Sequence, residues 1–174
     1  MRTITLELYP FNELAENIQK KVLDEFRYSD TEDNWWKQDY EDAEQIGLKI
    51  TGFDLDHRGT ISGEFTSHPV DVAKAIIENH GETCDTYETA KYFQACIERI
   101  NEKDMDTDTR DMEIETAESD FIELLLKDYL VMLREDYEYI TSDTAVKEMI
   151  EANGYEFFVN GERYNKNIFG GYQK

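Results

Sequence analysis

An α+β fold, with about six helices packed on a small antiparallel sheet built from an N-terminal strand and hairpins, is predicted by three features of this 174-residue sequence. Apolar residues recur at three- and four-residue steps in the longer segments. They alternate with polar residues in the shorter ones, and Gly, Pro or Asn-Gly punctuates the joins. A content of 40% hydrophobic and 13% aromatic residues supplies a core for one domain covering residues 1–174 and disfavours disorder.

The opening Thr3-Ile4-Thr5-Leu6-Glu7-Leu8 alternates and reads as a strand that Pro10 ends. A helix follows, with Asn12 as N-cap, Glu13 and Glu16 at the positive end of its dipole, and Leu14, Ile18, Val22 and Phe26 along one face. A second helix buries Trp36, Tyr40, Ala43 and Ile46, and Gly47 suits its C-terminal cap. Leu48 to Leu55 and Thr60 to Phe65 form a hairpin around Asp56-His57-Arg58-Gly59, with a bulge at Gly52 where the apolar phase shifts.

Ser67 and Pro69 open a helix carrying Val72, Ala73, Ile76 and Ile77, which closes at His80-Gly81. Asp85 and Glu88 make a capping-box pattern ahead of Ala90, Phe93, Cys96, Ile97 and Ile100. Residues 101–115 have almost no apolar side chains and read as an acidic loop. The longest helix runs from about Thr116 to Tyr139, apolar over more than half its circumference and therefore central. A shorter helix, Asp143 to Glu151, stops at Asn153-Gly154. A closing hairpin pairs Tyr155–Val159 with Glu162–Tyr164 across Asn160-Gly161.

Charge dominates the composition: 40 acidic and 18 basic residues give a formal net charge of −22. Such an excess repels nucleic acid and anionic lipid, so any partner should be basic, with no direct nucleic-acid or membrane contact. There is no secretory leader and no apolar run of about 20 residues, which points to the cytoplasm. Cys84 and Cys96 are too few to staple a domain of this size and read as reduced thiols.

Acid is concentrated in two stretches. Tyr28 to Gln45 holds seven acidic residues and one lysine; Glu102 to Glu123 holds ten acidic and two basic residues. Carboxylates three or four residues apart on a helix lie roughly 5 to 6 Å from one another, comparable to successive phosphates of a strand. The bland interpretation is a solvated face that maintains solubility. Self-repulsion at this total charge favours a functional one, with Trp35 and Trp36 as anchors inside the first cluster. The candidate partner-binding residues are Asp30, Glu32, Asp33, Asp39, Glu41, Asp42 and Glu44, and, as a second patch, Asp104, Asp106, Asp108, Asp111, Glu113 and Glu115.

Asp104 to Glu115 also places acids at positions 1, 3, 5 and 12 of a twelve-residue loop, the spacing of an EF-hand. Asp104, Asp106, Asp108 and Glu115 are thus alternative calcium ligands, although Thr109 stands where Gly is needed and Asp111 where an apolar residue belongs. His80, Cys84 and Cys96 lack a zinc spacing, and Asp54, Asp56 and Glu64 lack the lysine of a metal nuclease. With no nucleophile elbow, phosphate loop or HExxH motif, the sequence nominates no catalytic residue and no cofactor.

Trp35-Trp36 with Tyr40-Glu41-Asp42-Ala43, Ile46 to Leu55, His80-Gly81-Glu82-Thr83-Cys84 before Thr86-Tyr87, Tyr137-Glu138-Tyr139 with Thr141-Ser142-Asp143, and Glu151-Ala152-Asn153 resemble a family of small acidic bacteriophage and prophage proteins of unassigned function, over most of the chain. The resemblance implies a setting in the cytoplasm of a bacterial host and a role against host defence, of the antirestriction or anti-CRISPR type. It transfers no functional residues. The resulting expectation is a non-enzymatic inhibitor that mimics DNA. The alternatives are a calcium-binding protein or an antitoxin-like partner that binds through apolar surface.

Overall fold

A computed structural model describes residues 5–29 and 34–165. In chain order the elements are β1 (Tyr9–Pro10), a 3-10 turn (Phe11–Glu13), α1 (Glu16–Phe26), α2 (Lys37–Gln45), β2 (Leu48–Asp54), β3 (Thr60–Phe65), α3 (Pro69–Asn79), α4 (Asp85–Glu102), α5 (Thr107–Ile140), α6 (Asp143–Ala152) and β4 (Glu156–Phe157). The class is α+β, and the strands form two separate two-stranded antiparallel sheets, β1 with β4 and β2 with β3. No helix among the described residues is long and apolar enough to cross a membrane.

The chain divides into two compact units. The first comprises residues up to Trp35 together with those from Tyr137 onward; the second is Trp36–Asp136.

In the first unit, Phe11, Leu14, Val22, Val146, Ile150 and Phe157 form the core. The expected opening strand is displaced: residues 5–8 carry no strand, Thr3 and Ile4 lie outside the described residues, and Pro10 sits inside β1. β4 offers only two partners, Phe157 to Tyr9 and Glu156 to Pro10, and residues 5–8 pair with no strand among the described residues. The first helix also starts later than Asn12 suggests. A 3-10 turn brings Phe11 and Leu14 onto one buried face, as its three-residue period requires, and α1 begins at Glu16.

Ser142 caps α6 by accepting a 3.2 Å hydrogen bond from the Ala145 amide. The closing hairpin is shorter than expected, with β4 limited to Glu156–Phe157 and one further bridge from Phe157 to Arg163. Its turn takes in Val159 as well as Asn160-Gly161: the Phe158 amide donates to the Glu162 carbonyl, the Gly161 amide donates to the Phe158 carbonyl, and Gly161 has φ +87°. A Cβ at Gly161 would stand 2.9 Å from Ile18 Cγ2, so glycine also lets the turn close on α1.

In the second unit the core gathers α2, the β2–β3 hairpin, α3, α4 and α5 around Ile46, Leu48, Val72, Ile76, Phe93, Phe121, Leu125 and Tyr129. Of the expected stripe Trp36, Tyr40, Ala43 and Ile46, the last three pack into this core, Trp36 stands half-buried at the N-cap ahead of α2, and Gly47 ends α2 at φ +87°. The β2–β3 register shifts between Ile50 and Gly52, where the change of phase predicts a bulge. At the start of α4 the capping box does not form. Cys84 is the N-cap and its side chain accepts no capping hydrogen bond, while Asp85 and Glu88 lie in the first turn and complement the helix dipole.

The largest departure is α5, which starts at Thr107 rather than Thr116 and takes in most of the segment expected as loop. Its buried side chains, Phe121, Leu125, Tyr129 and Leu133, recur every fourth residue on one side. Leu124 and Val131 stay 38% and 42% exposed, so the helix is packed along one face and not all round.

Candidate functional site

Asp106 explains why α5 begins so early. Its Oδ1 accepts a 2.9 Å hydrogen bond from the Thr109 amide and its Oδ2 accepts one of 2.7 Å from the Thr109 hydroxyl. This is N-cap geometry, and those bonds hold the Asp106 carboxyl below its ordinary pKa. Glu, Met and Arg then propagate the helix through a stretch whose polarity suggests a loop.

Helical geometry withdraws the calcium alternative. Asp108 and Glu115 are separated by two turns, about 10 Å along the axis, whereas one calcium ion needs its oxygens at about 2.3 to 2.6 Å. Asp106 is committed to the cap, and among the described residues no group of three His, Cys, Asp or Glu side chains is arranged to hold a metal.

The same geometry organises the acids differently. Steps of three and four residues put Asp108, Asp111 and Glu115 on one face of α5, all exposed, with Asp104 exposed just before the helix. Both basic residues of the stretch turn away. Lys103 Nζ pairs with Glu113 Oε2 at 2.6 Å, and Arg110 donates to the Lys103 carbonyl at 3.1 Å. Among the described residues Asp104, Asp108, Asp111 and Glu115 make no ion pair. They form an uncompensated negative ridge.

The first cluster is arranged differently. Asp30, Glu32 and Asp33 lie outside the described residues. Of the acids on α2 only Glu41 and Glu44 are exposed, and Lys37 Nζ already lies 3.3 Å from Glu41 Oε1. Trp35 and Trp36 are half-buried: Trp35 meets the Tyr137 ring in the first unit, and Trp36 meets the edge of Phe53 in the second. Their rings are engaged in intramolecular packing rather than displayed as anchors.

Asp39 and Asp42 point into the second unit. Asp39 is 5% exposed, with one carboxylate oxygen lacking a hydrogen bond among the described residues. Burial, reinforced by Asp136 and Asp42, pushes its pKa up to about 6. Asp42 Oδ2 accepts a 2.7 Å hydrogen bond from the hydroxyl of fully buried Tyr129, whose pKa rises through burial first and this carboxylate second. His80 Nε2 stands 3.6 Å from the same oxygen, while His80 Nδ1 is 2.7 Å from the Thr86 hydroxyl.

An acid, an imidazole and a hydroxyl in a row suggest nucleophilic catalysis, but Thr86 is 2% exposed and the gap between Asp42 and His80 exceeds hydrogen-bond reach. The row is therefore a polar joint between α2, the end of α3, α4 and α5. His80 and Tyr129 had no sequence signal linking them to the acids of α2, because they become neighbours only on folding. Cys84 and Cys96 are both free, the first exposed and the second half-buried.

The ridge on α5 is thus the part of the expected acidic surface that lies on one exposed helix face, whereas α2 keeps two exposed acids. Tyr129, which meets α2, lies about 30 Å along the helix axis from Asp108, so the two stretches do not merge into one face. No protein-family model, curated protein or solved structure matches this chain.

Proposed function

We propose that this chain is a non-enzymatic inhibitor, phage-encoded and acting in the cytoplasm of a bacterial host, that offers the acidic ridge of α5 to the basic nucleic-acid cleft of a defence or DNA-processing protein. The observation that carries the reading is the placement of Asp108, Asp111 and Glu115 on one exposed face, with the neighbouring cations drawn to Glu113 and the backbone. A row of fixed carboxylates at helical spacing attracts Lys and Arg as a phosphate backbone does, and releases counterions on binding. A net charge of −22 adds long-range attraction toward any cationic cleft. Antirestriction and anti-CRISPR inhibitors are the functional classes that match this chemistry.

The test is capture from a bacterial lysate on the immobilised protein at low salt, followed by elution with duplex DNA. Nucleic-acid-binding proteins released by DNA are the expected outcome. Retention of nothing, or of proteins that DNA does not displace, would count against the reading.

A further inference from the structure

Nine residues make up α2, and only two of their side chains are buried. One is Ala43; the other is Asp39, at 5% exposure. A surface helix is ordinarily held by an apolar stripe, yet here a carboxyl takes one of the two buried positions. No cation compensates it. Among the described residues no Lys, Arg or His pairs with Asp39, and its Oδ2 accepts no hydrogen bond. A buried carboxylate without a partner is costly, whereas the protonated acid carries no charge and escapes most of that penalty.

The groups around Asp39 sharpen the contrast. Asp42 follows it on α2, Asp136 acts on it from α5, and the Tyr129 hydroxyl, also on α5, is already donated to Asp42. His80, after α3, stands 3.6 Å from Asp42. The two ends of α2 are held differently. Trp36 at the N-cap makes no side-chain cap, whereas at the other end Ile46 is buried and the Thr66 amide donates a 2.9 Å hydrogen bond to the Gly47 carbonyl. Lifting of α2 would pivot about Gly47, against the contacts of Trp36 and Tyr40 with the Phe53 ring.

We propose that α2 is a proton-gated flap: protonated Asp39 seats it over Tyr129, and loss of that proton lets it lift and turn all four of its acids to solvent. Seated, α2 displays Glu41 and Glu44; lifted, it adds Asp39 and frees Asp42 from Tyr129. The flap does not depend on what the α5 ridge binds. Burial first, then Asp136 and Asp42, raise the pKa of the seated Asp39 carboxyl to about 6 from an ordinary 3.8. The lifted carboxyl returns to its ordinary value, so between those two values lifting releases a proton. The opening equilibrium therefore grows as pH rises from about 4 to about 6 and levels off above, leaving the flap least firmly seated near neutrality.

Hydrogen–deuterium exchange of the whole protein, corrected for intrinsic rates, reads the opening directly. Protection of the amides of residues 40–46 should fall by about twentyfold between about pH 4.5 and 7.5, most of it below about pH 6.5. At about pH 7.5 these amides should exchange at least about tenfold faster than those around Leu125, which report global unfolding. Asp39→Asn should hold residues 40–46 at the acid-pH protection throughout. Asp136→Asn, which leaves Asp39 in place, should shift the transition to lower pH. Circular dichroism checks that each variant is folded.

Protection of residues 40–46 that is flat with pH in the unsubstituted protein would overturn the proposal. So would exchange of those amides at the rate of the Leu125 region at every pH, because α2 would then have no opening of its own. An undiminished pH dependence in Asp39→Asn would do the same. Should that variant fail to fold, an unchanged profile in Asp136→Asn decides against the flap.

Discussion

The Tyr129 hydroxyl donates a 2.7 Å hydrogen bond to Asp42 Oδ2, joining a fully buried ring on α5 to a half-exposed carboxylate on α2. Asp42 therefore belongs to the interior as much as to the acidic surface. Tyr129→Phe keeps the ring packing and deletes one charge-assisted bond. The expected loss is about 1 to 2 kcal/mol, because water can reach Asp42 and take over part of the hydroxyl's role. Urea unfolding monitored by fluorescence measures it.

Asp39 makes stability depend on pH in the unusual direction for a carboxylate. Its folded pKa is about 6, above the ordinary 3.8, so between those values the folded state holds a proton that the unfolded state has released. Stability contributed by this residue therefore increases as pH falls from about 7 towards 4. At neutral pH the buried charge costs on the order of 3 kcal/mol. Asp39→Asn should raise stability at pH 7.5 and flatten the pH dependence between 4 and 7, measured by denaturant unfolding across that range. A steeper dependence in the variant would refute the assignment.

Asp106 should control fraying at the start of α5. Asp106→Ala removes the two bonds to Thr109, so the amides of residues 107–111 should exchange faster with deuterium while those around Leu125 are unaffected. Asp106→Ser should retain most of the protection, as an N-cap does.

The sequence made some of this readable and hid the rest for definable reasons. The Tyr40, Ala43 and Ile46 stripe, the phase shift at Gly52 and the glycine after α2 are local signals, and each has its counterpart in the fold. Residues 101–115 misled because Asp and Thr have turn chemistry and low helix propensity, yet one well-placed cap converts the same residues into helix. Asp39 and Asp42 resemble solvated acids when only their neighbours along the chain are considered. Their partners are distant in sequence: Tyr129, 87 residues from Asp42, bonds its carboxylate, and Asp136 adds to the rise in the pKa of buried Asp39.

Calcium offers a test of the helical start. With Asp108 and Glu115 two turns apart, calorimetry with millimolar calcium should give no saturable one-to-one binding, and far-ultraviolet circular dichroism should be unchanged. Stoichiometric heat would mean that residues 104–115 adopt a loop instead.

The salt dependence of partner binding tests the acidic ridge most directly. For a partner captured through DNA-displaceable contacts, the logarithm of the binding constant should fall linearly with the logarithm of salt concentration. The slope should shrink by about one for each carboxylate–cation pair removed when Asp108, Asp111 and Glu115 are replaced by Asn, Asn and Gln. The account predicts a reduction of roughly three in the slope together with weaker binding at low salt. An unchanged slope and affinity in a folded triple variant would contradict it.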